Sequence, residues 1–254
     1  MIKFRVFQED NMKLLVDTHT HTVASGHAYS TLRENALFAA KKGLEAFCCT
    51  DHGPGMKGIV PAFSLNVLMS VPDEIEGVRL IRGCELNILD SEGHVDLAEG
   101  YLKKQQFLIA SLHDITIPQG SVEENTAAMT NALRNKYIDV IGHPGNPHFP
   151  VNIEEVVDTA KKYDKLLEIN SHSFEYRKGS PKYCREYIRQ CKQKGVRDVY
   201  KRQNGWWTKP ARLFTVRSRI RDSFMTKDRM LAGNTARTSN PNGRTSMVST
   251  HRSL

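Results

Sequence analysis

No stretch of the 254 residues reaches the roughly 18 consecutive apolar positions that a membrane-spanning helix needs. Residues 1–11 carry charges and no apolar run of signal-peptide length, so a cytoplasmic protein with no membrane partner is expected. No C-x-x-C pair occurs. The five cysteines, Cys48, Cys49, Cys84, Cys184 and Cys191, are an odd number that excludes a complete disulfide frame and reads as small core residues of a reduced compartment. Glu is missing after residue 195, where 13 Lys+Arg stand against 3 Asp+Glu. The net charge of +8 therefore sits in that last stretch, because residues 1–195 hold 23 basic against 25 acidic side chains. A near-neutral body lacks the basic groove of a nucleic-acid binder, so nucleic acid is not expected as a partner.

What is present is a regular alternation. Hydrophobic content of 39% and charged content of 25% suit a globular chain. Short apolar runs at 14–16, 46–50, 80–81, 107–112, 139–142 and 166–169 alternate with amphipathic segments. Thr31 with Glu34 and Ser121 with Glu124 have capping-box spacing. Leu32, Ala36, Ala39 and Ala40 would share one helical face, closed by Gly43. Asn152 would cap a helix whose Ile153, Val156, Val157 and Ala160 fall at i, i+3, i+4 and i+7. Residues 54–77 are harder to read, with a weak helical pattern at 64–71.

Strands alternating with helices predict parallel β-α units. Position then selects the architecture. His19 and His21, His52, Glu85, His113 and His143 each follow the apolar part of a strand. Chemistry gathered at the C-terminal ends of five successive strands predicts a TIM-like barrel rather than a doubly wound sheet with one switch point.

The residue types point to metal. Asp17, His19 and His21 recur at a spacing of two, which in an extended chain places a carboxylate and two imidazoles on one side. His27 lies in the following loop. Six imidazoles on one face would each need partners for two nitrogens, a need that divalent metal ions meet. So many ligands imply more than one ion, and Glu85 is suited to bridge two. Asp17 and Asp51 read as groups that orient the histidines rather than as ligands. Arg177 and Lys178, in a turn after the sixth strand, could meet a phosphate. His94, His148 and His172 read as ordinary loop residues.

The motifs D-T-H-T-H at 17–21, H-A-Y-S-T at 27–31, T-D-H-G-P at 50–54, G-C-E-L-N-I at 83–88, G-H-P-G-N-P at 142–147 and E-I-N-S at 168–171, with the strand ending in His113, resemble the polymerase-and-histidinol-phosphatase (PHP) family and its bacterial phosphatases. The resemblance runs over about residues 12–195. It implies a distorted (β/α)7 barrel, here incomplete at its C-terminal end, and up to three zinc ions, with manganese or iron as alternatives. His19, His21 and Glu85 would hold one ion, Glu85, His113 and His143 a second, and His27 and His52 a third. The implied activity is hydrolysis of a small phosphomonoester by hydroxide from metal-activated water, with no side-chain nucleophile.

Three rivals remain. An amidohydrolase also opens with H-x-H, but commonly bridges its metals with a carboxylated lysine. A PHP module of the nuclease type would cleave phosphodiesters. A metal-binding remnant would be inactive, because the family's D-x-H motif after the seventh strand has no match: the tail offers only Asp198, Asp222, Asp228 and His251. The domain organisation expected is an extension at 1–11, a metal-dependent phosphatase domain at 12–195, and a basic tail at 196–254 that is disordered or foreign to the barrel, lost or out of frame, since it shows no sustained period of 2 or 3.6.

Overall fold

The computed structural model describes residues 15–56, 61–196 and 198–201, the last four by their backbone. In chain order the elements are β1 (Val16–Thr20), a 3-10 turn (Val23–Ser25), α1 (Leu32–Lys41), β2 (Ala46–Cys49), α2 (Phe63–Leu68), β3 (Glu74–Ile75), β4 (Val78–Asn87), α3 (Glu99–Leu102), β5 (Phe107–Ser111), α4 (Val122–Arg134), β6 (Val140–Ile141), α5 (Ile153–Lys162), β7 (Leu166–Asn170), α6 (Ser171–Glu175), α7 (Ser180–Lys194) and β8 (Asp198–Lys201). The sheet runs β1-β2-β4-β5-β6-β7-β8, with β3 attached to β4. Every neighbouring pair along that path is parallel, while β3 is antiparallel. β8 comes within 8 Å of β1 at the Cα atoms, yet no ladder joins these two among the described residues. The fold is thus an α/β barrel left incomplete.

Local chemistry sets the helices. Thr31 and Glu34 form a reciprocal capping box at the start of α1, and Ser121 and Glu124 do the same for α4. The Asn152 side chain accepts from the Glu155 N–H to cap α5. One face differs from the sequence reading. Asn35, not Ala40, is buried on α1, and Ala40 is exposed. The Asn35 amide donates to the His21 carbonyl at 2.9 Å, so a polar residue on the inner face ties the helix to the H-x-H segment. The obscure region at 54–77 holds α2 and β3. Buried Arg82 fixes it, donating from Nε to the Leu68 carbonyl at 3.1 Å and pairing with Asp73 at 2.6 Å.

The larger core packs Leu86, Leu108, Leu133, Ile141, Val156, Leu167 and Tyr187 between sheet and helices. Each buried aliphatic side chain of this kind contributes roughly 1.5–3 kcal/mol. β8 corrects the reading that ended regular structure at residue 195: it pairs with β7 from Leu167↔Asp198 to Asn170↔Lys201. A four-residue strand with charge at both ends carries too little pattern for a periodicity test. The expectations for residues 1–11 and 202–254, including Asp222, Asp228 and His251, concern residues outside the described ones.

Candidate metal centre

Because the strands are parallel, their C-terminal ends open on one side of the sheet. His19 lies within β1 and His21 follows it. His52 follows β2, Glu85 lies near the end of β4, and His113 and His143 each come two residues after a strand. The ladder past β2 continues as a bridge between His52 and Glu85, which sets their alignment. His27 comes in from the loop after the 3-10 turn. Neighbouring imidazole rings pack with centroids 4.7 Å apart for His21 and His52, 4.8 Å for His27 and His52, 4.9 Å for His52 and His113, and 5.2 Å for His113 and His143.

Glu85, 1% exposed, is the hub. Its Oε2 lies 3.0 Å from His19 Nε2, 3.3 Å from His21 Nε2 and 3.2 Å from His52 Nδ1. Its Oε1 lies 2.9 Å from His143 Nε2 and 3.4 Å from His113 Nε2. Ser111 donates to Oε1 at 2.7 Å and fixes the carboxylate. Burial raises the Glu85 pKa, but His19, His113 and His143 outweigh it, so the group sits well below the ordinary carboxylate value. Burial acts the other way on the rings. It holds His52 down at about 3 and His143 at about 4, against opposing pull from Glu85.

The far nitrogens decide which proton each ring carries. His113 Nδ1 donates to Asn87 Oδ1 at 2.7 Å. Ser25 gives its hydroxyl proton to Asp51 at 2.6 Å and so accepts from His21 Nδ1 at 2.9 Å. His19 Nδ1 donates to Glu168 Oε1 at 2.7 Å. In a neutral imidazole a proton on Nδ1 leaves a lone pair on Nε2. Wherever these rings are neutral, their lone pairs point at an ionised carboxylate, an arrangement that needs a cation between them; without one, protons on the ring nitrogens take that place, which is how His19 and His113 lower the Glu85 pKa. His52 Nδ1 is buried beside Glu85 and makes no hydrogen bond among the described residues. Two ligand atoms on one tetrahedral zinc, each about 2 Å from it, lie roughly 3.3 Å apart. The Glu85–His separations fall around that value.

Three overlapping donor groups result, each with ligand atoms within 4.8 Å of one another: His19, His21 and Glu85; His52, Glu85 and His113; and His21, His27 and His52. A buried anion, clustered imidazoles and Nδ1 locks make a donor set that fits divalent metal.

The two aspartates behave differently from a ligand row. β1 is irregular against β2 between Asp17 and Thr20, and Asp17 Oδ1 accepts from the His19 backbone N–H at 3.3 Å. Asp17 therefore holds the backbone of the H-x-H segment. Asp51 reaches His21 through Ser25, and also accepts from Thr22 N–H and Oγ1, both at 2.7 Å. Arg177 is half-buried and its Nη1 has no hydrogen-bond partner among the described residues, while Lys178 is exposed. His148 is exposed against Phe149, and His172 stacks on Tyr176.

Sequence reasoning missed Ser25, Asn87, Ser111 and Glu168. Asn87 was within reach, because it sits two residues beyond Glu85 on one strand and so on the same side. Glu168 also left a signal: a carboxylate inside the apolar run L-L-E-I-N, a place where charge needs a partner. Another acidic group, Asp90 with Glu92 and His94, clusters on the surface in the turn after β4, closed by its own hydrogen bonds.

The model of the family described as "PHP domain" matches residues 17–196. A protein of Acetivibrio thermocellus named "Probable phosphatase" is 50% identical over 188 residues, 74% of this chain and 78% of that one. A protein of Thermoanaerobacter sp. with the same designation is 51% identical over 188 residues, 73% of this chain and 77% of that one. Among solved structures, histidinol phosphate phosphatase from Lactococcus lactis, complexed with zinc, L-histidinol and phosphate, superposes with a TM-score of 0.52 over 86% of this chain and 92% of its own. At 15% identity that likeness concerns the fold.

Proposed function

The chain belongs to the PHP domain family, and from that premise we propose that it hydrolyses small phosphomonoesters at a centre of up to three divalent metal ions, zinc first among them. One observation carries the reading: both oxygens of Glu85 are shared among imidazoles brought from four other strand ends. His19, His21 and Glu85 would hold one ion, and Glu85, His113 and His143 a second. His27 and His52, with His21 beside them, would hold a third. Ions bound there would supply Lewis-acid stabilisation of phosphate charge and lower the pKa of water.

The chain's own residues do the rest. Glu85 stays anionic, so it can serve two cations at once. Burial keeps His52 and His143 neutral at physiological pH, so their lone pairs are available without displacing a proton. Ser25, Asn87 and Ser111 hold the ligand rotamers. Of Arg177 and Lys178, burial supports Arg177 for direct phosphate contact: a guanidinium nitrogen out of water without an acceptor among the described residues is costly, and a phosphate oxygen would satisfy it. Lys178, being exposed, would add only a screened charge. The domain concerned would run from about residue 12 to β8.

Turnover of p-nitrophenyl phosphate against bis(p-nitrophenyl) phosphate, with metal content measured on the same sample, tests the proposal. Faster cleavage of the monoester with two or more ions per chain is expected. Preference for the diester would replace it by the nuclease-type reading, and bound metal without turnover by the remnant reading.

A further inference from the structure

Glu168 is 2% exposed and lies inside the apolar run of β7. Its two oxygens serve different strands. Oε1 accepts from His19 Nδ1 at 2.7 Å, and Oε2 accepts from the His143 backbone N–H at 2.7 Å. The Asn170 amide donates to Oε2 at 3.4 Å. His143 has a φ of 31°, a left-handed value that a residue with a Cβ adopts only when its surroundings enforce it. From these facts we infer that Glu168 is a positioning residue that sets two metal ligands with one carboxylate: it fixes the tautomer of His19 and pins the strained backbone that aims His143. The inference rests on the metal-centre reading.

The geometry makes this role specific to a carboxylate. His19 Nδ1, the His143 N–H and the Asn170 amide all donate to Glu168, so both of its oxygens must accept. A glutamine has the same shape but one acceptor and one donor. If its oxygen faces His19, its NH2 group meets the His143 N–H, donor against donor, at a backbone position already under strain. If its oxygen faces His143, its NH2 group donates to His19 Nδ1. The His19 proton then moves to Nε2, the atom that lies 3.0 Å from Glu85 Oε2, and the ring can no longer offer a lone pair there. Either orientation spoils one ligand. His19 and His143 flank opposite oxygens of Glu85, so a single substitution at Glu168 touches the ions on both sides of the bridge.

The test is Glu168→Gln in the full chain. Imidazole 15N shifts of the metal-free protein report the His19 tautomer without requiring metal or activity, with His19→Gln used for assignment. Wild type is expected in the Nδ1–H form, and the variant in the Nε2–H form or as a mixture. Zinc content after dialysis is expected to fall by at least one ion per chain. Glu168→Asp keeps the charge but shortens the reach, so it can serve one partner and not both. Its zinc affinity should drop roughly 10- to 100-fold. That variant carries the test if the glutamine protein does not fold. An unchanged His19 tautomer in Glu168→Gln, or wild-type zinc affinity in Glu168→Asp, overturns the inference. A wild-type chain that binds no zinc but shows the tautomer switch would instead overturn the metal reading and leave the hydrogen-bond role of Glu168 standing.

Discussion

The Nε2 atoms of His27 and His52 lie 2.7 Å apart, although the residues are 25 positions apart and leave different strand ends. Glu85 touches His52 but makes no contact with His27 among the described hydrogen bonds and ion pairs, so this pair forms the outer edge of the centre. His27 is exposed while His19, His52 and His143 are buried.

Metal should therefore leave from that edge first. The outer group has only imidazole donors, whereas the other two include the Glu85 anion. Dialysed protein is expected to retain at most two zinc ions tightly, and His27→Ala to remove only the loosely held one. Metal analysis of both proteins checks this. Three tightly held ions in wild type would mean that residues beyond the described ones complete the outer group.

Histidines near one another in the 143–148 loop should differ sharply. His143→Ala removes a ring 2.9 Å from Glu85 and is expected to lower phosphomonoesterase activity roughly 100-fold or more. His148→Ala removes an exposed ring resting on Phe149 and should leave activity within about twofold. Steady-state kinetics on the two purified variants decide it, and equal losses would refute the assignment.

Gly142 should not tolerate a methyl group. A Cβ there would stand 2.2 Å from Ser111 Oγ, 2.8 Å from Ile109 Cγ2 and 3.4 Å from Glu85 Oε1. Gly142→Ala is expected to cost about 1–3 kcal/mol and to shift Glu85 through Ser111. Gly100→Ala, where no atom lies within 4 Å and the residue is in α3, should be neutral or stabilising by up to about 1 kcal/mol. Thermal melts of the pair give the comparison. Equal melting temperatures would show that β5 and β6 can separate.

Acid should destabilise the metal-free protein well before it titrates carboxylates. His52 and His143 sit near 3 and 4 when folded, against 6.5 for an ordinary histidine. Below 6.5 the unfolded chain binds protons that the folded chain refuses, so stability is lost as pH falls from that value toward 4 and below. Chelator-treated protein is expected to melt at a lower temperature at pH 5 than at pH 7. A pH-independent melt over that interval would mean that these rings are solvated.

Much of this was legible because each strand end announces itself: a buried run stops and a histidine or Glu85 begins. The capping boxes at Thr31 and Ser121 were legible for the same reason, since a local rule needs only local residues. The register shift of β1 against β2 between Asp17 and Thr20 was not legible, because pairing with β2 is not visible in one strand's pattern. Asn35 was missed because its burial is justified by a carbonyl 14 positions away. Glu168 belongs with it: its meaning lies in His19 and His143, and no spacing rule connects those three positions.

The contact between His19 and Glu168 spans 149 residues. A ribosome adding about 5–20 residues per second would release β1 several seconds or more before β7. During that interval the nascent chain carries the H-x-H pair without the carboxylate that orients it, so early metal capture would have to manage with a mobile ring. If metal loads this centre, loading would wait for β7, and an N-terminal fragment ending before β7 is expected to keep fewer zinc ions after dialysis than the longer chain.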